Sequence, residues 1–176
     1  MSKNKKISKP YIFEEENENH NIVSEPAVPF LTKQKEYQFN VILADASQKP
    51  ERHLSGFEKM HIVRDGVSKK DLELLKSKAQ LDYTTLAKAL SVTRATLINK
   101  KRTQKFNSSL SEKILSMADL YSYGFEVFED ESRFNQWMAR PNKALGGQAP
   151  YDLIDNQFGR EEVKNLIGRI EYGVYS

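Results

Sequence analysis

A run of basic side chains between Tyr83 and Phe106 is the part of the sequence best suited to bind a charged ligand. The chain as a whole is nearly balanced, with 27 basic and 24 acidic residues, but this run holds six cations and no Asp or Glu. Because Lys and Arg neutralise phosphates, such a group is typical of a nucleic-acid contact. A solvated basic face on a plain helical hairpin is the alternative. The six cations are Lys88, Arg94, Lys100, Lys101, Arg102 and Lys105.

The stretch "TLAKALSVTRATL" within this run has the parts of a helix-turn-helix, which lays its second helix in the DNA major groove. Ala87 is small enough for a close helix crossing, and Leu90 and Leu97 point into a core. Thr93 caps the second helix, which the sequence predicts to continue through "TRATLINKKR". Ser91 is a departure from the pattern, because the turn position is most often Gly and the left-handed conformation is less favourable for Ser.

The second helix supplies the predicted DNA contacts. Arg94, Thr96 and Asn99 could reach base edges, while the basic cluster at the end of the helix suits phosphates. The predicted DNA-binding residues are Thr93, Arg94, Thr96, Asn99, Lys100, Lys101, Arg102 and Lys105.

The C-terminal segment, residues 169–176, reads "RIEYGVYS" and is unusually apolar and aromatic for a chain end. Tyr gives a large contact area at low entropic cost and Arg pairs with charged groups, so both are enriched among the residues that dominate protein interfaces. The segment is therefore a candidate for binding another protein. The alternative is that Tyr172, Val174 and Tyr175 fold back onto the core of this protein.

No set of residues predicts catalysis. His20, His53 and His61 are widely spaced, Cys is absent, and "LGG" at 145–147 lacks the Lys and Ser/Thr of a phosphate-binding loop. We predict no catalytic residue, no metal ligand and no cofactor, and therefore no enzyme. The sequence has no apolar stretch of secretory or membrane-spanning length, so we expect a cytoplasmic protein without a membrane partner.

The elements that position these residues are predicted to be helices, with at most one short strand. Residues 1–36 have the composition of a disordered arm, and 37–66 are predicted to be an irregular connecting segment in which "YQFNVILADA" forms a short strand or a docking segment. Ser68 is a predicted helix cap. A longer amphipathic helix places one apolar stripe along "SLSEKILSMADLYSYGFEVF", made of Leu110, Ile114, Ala118, Tyr121, Phe125 and Phe128.

Three further helices are predicted after this one. Asp130 caps a short helix that carries Phe134, Trp137 and Met138 and stops at Pro141. Pro150 opens a second helix, "PYDLIDNQFG", which is predicted to close at Gly159. The last helix turns four apolar residues to one face: Val163, Leu166, Ile167 and Ile170.

The run from 134 to 176 closely resembles the toxin-binding domain of the Xre/MbcA/ParS family of antitoxins, the partners of RES-domain toxins. The helix-turn-helix before it also resembles the Xre-type module of these proteins, so that the resemblance covers about residues 65–176. It is carried by Phe134, Trp137, Pro141, Asn142, the residues 144–147, Pro150, Asp152, Leu153, Gly159, Val163, Leu166 and the residues 169–176.

The resemblance implies an all-α protein with four parts: a disordered arm at 1–36, the connecting segment at 37–66, an Xre-like module at 67–108 and a small helical toxin-binding domain at 109–176. It implies a type II antitoxin whose C-terminus enters the active site of a RES-domain toxin that consumes NAD or uses it for ADP-ribosylation. The implied toxin contacts are Arg169, Ile170, Glu171, Tyr172, Gly173, Val174, Tyr175 and Ser176.

The resemblance also implies that the protein represses its own operon by binding operator DNA, as a homodimer within a toxin-antitoxin complex. A free-standing transcriptional regulator, with a C-terminal domain for dimerisation or sensing, is the alternative.

Overall fold

Eight α-helices and two short 3-10 turns form the regular structure of the residues that the computed structural model describes, which are 39–43 and 49–174. The prediction of an all-α protein is confirmed. The predicted arm at 1–36, together with Tyr175 and Ser176, lies outside the described residues. The helices are α1 (Gly56–Asp65), α2 (Lys69–Lys78), α3 (Tyr83–Ala89), α4 (Arg94–Ile98), α5 (Ser108–Phe128), α6 (Glu131–Met138), α7 (Pro150–Leu153) and α8 (Gln157–Glu171); the 3-10 turns are Glu51–His53 and Lys143–Leu145.

The three helix caps that the sequence predicts are all present. The Ser68 hydroxyl accepts a hydrogen bond from the backbone N–H of Asp71, whose carboxylate in turn accepts from the backbone of Ser68. Thr93 caps α4 and Asp130 caps α6 in the same way, each by accepting from the backbone N–H three residues on. Because a cap satisfies N–H groups that have no partner inside the helix, these residues determine where the helices begin.

Helix α5 is the central element, and it packs against α1, α6, α8 and the turn Glu51–His53. Its predicted apolar stripe is buried from Leu110 to Phe125, while Phe128 at its end is partly buried. Phe134 of α6 packs edge-on against Tyr121 and Phe125, with ring centroids 5.5 and 5.6 Å apart. These contacts place α6 directly on the second half of α5.

The segment 39–43, predicted as a strand or a docking segment, docks without forming a strand. Val41, Ile42 and Leu43 are buried, and their backbone N–H groups donate to the carboxylate of Glu51 over 2.6–3.0 Å. Glu51 itself is completely buried. A buried carboxylate is tolerated here because three N–H donors replace the water that it loses.

The prediction that 37–66 is irregular is wrong over α1. Ser55 and Glu58 form a reciprocal capping box, in which the Ser55 hydroxyl accepts from the N–H of Glu58 and the Glu58 carboxylate accepts from the N–H of Ser55. The hydrogen bonds with Ser55 lower the pKa of Glu58 to about 2. Gly56, taken as punctuation in the sequence, is instead the first residue of the helix.

The prediction that a helix closes at Gly159 is also wrong. Helix α7 already ends at Leu153, and Asn156 caps α8 by accepting from the N–H of Gly159 over 3.0 Å. An added Cβ at Gly159 would lie 1.7 Å from the carbonyl oxygen of Leu153. Gly is therefore required here for a close approach of two backbone segments rather than for a helix end.

Candidate nucleic-acid interface and C-terminal surface

Helices α3 and α4 and the tight turn between them form the predicted helix-turn-helix. Leu90 and Leu97 are completely buried and Ala87 nearly so. Ser91 adopts a φ of 54°, which is the left-handed conformation expected of this turn position. Its hydroxyl donates to the carbonyl oxygen of Asp155 over 2.9 Å. This bond to a residue just before α8 offsets part of the backbone cost that a Ser has there.

Helix α4 is shorter than the sequence predicts. It ends at Ile98, and residues 99–105, which we name the basic loop, follow it. Arg94 and Thr96 are exposed on α4, while the Thr93 hydroxyl serves as the cap and lies 2.8 Å from that of Thr96. The other predicted DNA-binding residues lie in the basic loop; four of them are exposed, and Lys100 is partly buried with its ammonium 5.3 Å from the ring centre of Phe106.

The basic loop is bonded to the start of α2 by backbone hydrogen bonds. The N–H groups of Lys69 and Lys70 donate to the carbonyl oxygens of Gln104 and Arg102, over 2.9 and 3.0 Å. Next to the loop, the N–H of Phe106 donates to the carbonyl oxygen of Val67 over 2.8 Å. These bonds satisfy orphan donors at a helix start and also explain why α4 stops, because the chain turns away to reach α2.

Buried Lys69 is a residue that sequence reasoning missed. Its ammonium donates to the carbonyl oxygen of Leu97 and to the hydroxyl of Tyr83, both over 2.7 Å, and lies 4.2 Å from the Tyr83 ring centre. The side chain thus joins α2, α3 and α4. In the sequence Lys69 looks like one more surface cation, since only the fold brings its acceptors together.

The basic run is less unopposed in space than it is in sequence. Lys105 pairs with Asp65 at 2.6 Å, and Lys88 lies 3.8 Å from Asp152. Among the described residues no ion pair involves the other four cations, which are Arg94, Lys100, Lys101 and Arg102. These four carry the positive potential of this surface.

The C-terminal segment begins as helix and then turns. Helix α8 ends at Glu171, and Gly173 adopts a φ of 67°. The N–H of Gly173 donates to the carbonyl of Ile170, and that of Val174 to the carbonyl of Arg169, which together form a Schellman motif. Tyr172 is 79% exposed and Val174 58% exposed, so these two side chains do not fold back onto the core.

A small groove lies beside this turn. Its volume is about 210 Å³, and its lining includes Trp137, Lys143, Leu166, Arg169, Ile170 and Val174. Arg169 is exposed, whereas Ile170 is partly buried. The groove joins the C-terminal segment to α6 and to the turn Lys143–Leu145, so the end of the chain belongs to a larger apolar and basic surface.

Glu171 differs from its neighbours because it is bonded within the protein. Its carboxylate accepts from the Tyr123 hydroxyl at 2.7 Å and from the Arg52 guanidinium at 3.0 Å. The hydrogen bond from Tyr123, followed by that from Arg52, holds the pKa of Glu171 below its ordinary value. Burial, followed by the bond to Glu171, raises the pKa of Tyr123 to about 12. Sequence reasoning missed Arg52 and Tyr123, since no local pattern connects them to Glu171.

The histidines lie apart in the structure as they do in the sequence. His53 contacts the carboxylate of Glu126 at 2.9 Å, His61 is exposed on α1, and His20 lies outside the described residues. Across 39–43 and 49–174 no three His, Asp or Glu side chains are grouped so that they could hold a metal ion. None of the helices in these ranges combines the length and the apolar composition needed to cross a membrane.

Two family models match the chain. The model of the antitoxin Xre-like helix-turn-helix domain matches residues 59–119, and that of the antitoxin Xre/MbcA/ParS C-terminal toxin-binding domain matches residues 124–173. The two ranges meet within α5, and residues 49–58 lie outside both.

Three relatives have printed functions. An "Antitoxin Xre" of Photorhabdus laumondii is 36% identical over 73 residues, which are 41% of this chain and 49% of the relative. An "Antitoxin Xre" of Yersinia enterocolitica is 33% identical over 82 residues, 45% of this chain and 55% of the relative. The "Prs ADP-ribosylating antitoxin" of a Sphingobium species is 26% identical over 133 residues, 69% of this chain and 83% of the relative. The chain thus spans about half the length of the two Xre relatives.

Proposed function

Because the chain belongs to the Xre/MbcA/ParS family of antitoxins, we propose that it neutralises a RES-domain toxin by inserting its C-terminal segment into the active site of that toxin. The toxin would consume NAD or use it to ADP-ribosylate a target. The observation that carries the proposal is the exposure of Tyr172 and Val174 at the end of α8, inside or directly after the matched toxin-binding range. An antitoxin of this kind acts by binding and needs no catalytic residue of its own.

The shape of the C-terminal segment supports this role. The Schellman motif orders the backbone as far as Val174, so Tyr172 is presented from a fixed turn rather than from a flexible chain. A large aromatic side chain that is already ordered loses little entropy on binding. Arg169, one turn earlier on the same groove, adds a cation that can pair with acidic groups of a partner.

The helix-turn-helix supports a second activity, repression of the operon that encodes the protein. Arg94, Thr96 and Asn99 are exposed where base edges would lie, and the basic loop is held in place behind them for phosphate contacts. Operator DNA would be bound by a homodimer in the cytoplasm, within the toxin-antitoxin complex. A free-standing regulator shares this surface but would have no use for the exposed C-terminal turn.

A growth assay with matched variants tests the proposal. The toxin encoded in the neighbouring reading frame is expressed with the wild-type chain, with Tyr172→Ala or with Phe158→Ala. Phe158 is 77% exposed and lies at the opposite end of α8, so it removes an equally exposed ring about 20 Å away. We expect toxicity to return with Tyr172→Ala only.

Equal protection by both variants would refute insertion of the C-terminal segment. Failure of the wild-type chain to protect at all, in cells where both proteins accumulate, would favour the free-standing regulator.

A further inference from the structure

Arg52 is the strongest link between the C-terminal segment and a part of the chain that neither family model covers. It lies in the turn Glu51–His53, ahead of the range 59–119. Its guanidinium lies 3.8 Å from the Tyr123 ring centre, and one of its nitrogens reaches both oxygens of Glu171, at 3.0 and 3.3 Å. Arg52 therefore joins the N-terminal side of the fold to the last residue of α8.

The backbone around Arg52 is itself held in place. The buried carboxylate of Glu51 binds the N–H groups of 41–43, and the N–H of Arg52 points at the hydroxyl of Ser122 on α5 at 3.4 Å. The second guanidinium branch lies 3.8 Å from the carboxylate of Glu126, also on α5. A side chain that is bonded in this way on a rigid turn acts as a fixed support.

The consequence falls on the last turn of α8. Helix ends fray unless their last turn is held by packing or by side-chain bonds. Glu171 directly precedes Tyr172, so its two bonds to Arg52 and Tyr123 fix the direction in which Tyr172 leaves the helix. Arginine to carboxylate bonds are strong and directional because the guanidinium is planar and both groups are charged.

We propose that Arg52 is a positioning residue for toxin binding: by holding Glu171 against Tyr123 it fixes the end of α8, so that Tyr172 and Val174 are presented in the geometry that the toxin binds. This inference rests on the proposed function. It assigns a role to the turn Glu51–His53, which precedes both recognised domains. In this arrangement Arg52 acts through Glu171 and does not touch the toxin.

The experiment measures binding of the full-length chain to the RES-domain toxin from the neighbouring reading frame, purified as an inactive variant. Variants are Arg52→Ala, Glu171→Ala, the double variant, and Tyr123→Phe, which keeps the ring under Arg52 but removes the hydroxyl donor. Each single variant is expected to weaken binding by about fivefold to tenfold, mainly through faster dissociation. Arg64→Ala, which removes an exposed Arg from α1, is the matched control and should bind as the wild type does.

The double variant separates positioning from contact. If Arg52 acts through Glu171, removing both residues should cost no more than about twice the loss from Arg52→Ala alone. In the free chain, backbone amides at 170–174 should exchange their hydrogens faster in Arg52→Ala, while the melting temperature stays within a few degrees of the wild type. A merely structural role would lower the melting temperature without selectively exposing these amides.

Losses that multiply in the double variant would overturn the proposal, because they would show that Arg52 contributes independently of Glu171. Unchanged binding of both Arg52→Ala and Tyr123→Phe would also overturn it. If Tyr172→Ala binds as the wild type does, the proposed function fails instead. If Tyr172→Ala weakens binding and Arg52→Ala does not, only the positioning role fails.

Discussion

The basic loop after α4 and the C-terminal turn after α8 are both short exposed segments that follow a helix end, but different bonds hold them. The basic loop is fastened by backbone hydrogen bonds to the start of α2, about thirty residues earlier in the chain. The C-terminal turn depends on its own Schellman motif and on side-chain bonds from Arg52 and Tyr123. Backbone bonds survive most side-chain substitutions. The cations of the basic loop can therefore be replaced without loss of its shape, whereas the C-terminal turn is sensitive to substitutions far from it in sequence.

The largest expected effect comes from the one side chain on which the helix-turn-helix depends. Lys69→Met should lower the free energy of unfolding by about 2–4 kcal/mol, because it removes two charge-assisted hydrogen bonds and leaves the carbonyl of Leu97 buried without its donor. Urea unfolding measures the loss. Lys101→Met, at an exposed position of the basic loop, is the control and should change stability by less than about 0.5 kcal/mol. A mild effect of Lys69→Met would mean that the module is held by apolar packing alone.

The next effect concerns the C-terminal surface alone. Arg169→Ala should weaken toxin binding by about 2 kcal/mol, as expected for an interface hot spot, while affinity for operator DNA stays the same. Calorimetry with toxin and fluorescence anisotropy with operator DNA give the two affinities. Arg64→Ala again serves as the matched control. If Arg169→Ala reduced both affinities, the two surfaces could not be treated as separate.

The basic loop should show the opposite selectivity. Changing Lys100, Lys101 and Arg102 together to Ala should weaken DNA binding and reduce its salt dependence by up to about three phosphate contacts, with toxin binding unaffected. An anisotropy titration over several salt concentrations measures the slope. Lys113→Ala, together with Lys164→Ala on α8, changes charge elsewhere and should leave the slope as it is. An unchanged slope in the triple variant would remove the basic loop from the DNA interface.

The smallest effect lies at the turn between α3 and α4. Ser91→Gly should be nearly neutral, because the easier left-handed backbone compensates for the lost hydrogen bond to Asp155. Ser91→Ala loses the bond and keeps the backbone cost, so it should be destabilised by about 1 kcal/mol. Thermal melts of the two variants, run side by side, test this order. If Ser91→Ala proves as stable as the wild type, the bond to Asp155 contributes nothing to the fold.

The features that sequence reasoning predicted correctly are those encoded by neighbouring residues. Ser68, Thr93 and Asp130 are helix caps, and the apolar stripe of α5 follows from a spacing of three and four residues. The missed features join distant positions. Lys69 and Leu97 are one example, and Arg52 and Glu171 are another. No local pattern marks such pairs.

The two wrong predictions have the same origin. Gly56 and Gly159 were both taken as breaks, because Gly interrupts helices more often than it begins them. Gly56 instead opens α1 behind the Ser55 capping box, and Gly159 lies in the first turn of α8 where the backbone passes the carbonyl of Leu153. The need for Gly at 159 depends on that crossing, which only the folded chain contains.

The continuous course of α5 limits how such proteins can exchange parts. Its 21 residues extend about 31 Å, and the boundary between the two family ranges falls inside the helix rather than in a loop. A chimera joined at 120–123 must keep the helical register, since one inserted residue would turn everything downstream by about 100°. Phe125 would then leave the core and Phe134 would lose its partner. Recombination between relatives at this point therefore succeeds only between helices of matching length and phase.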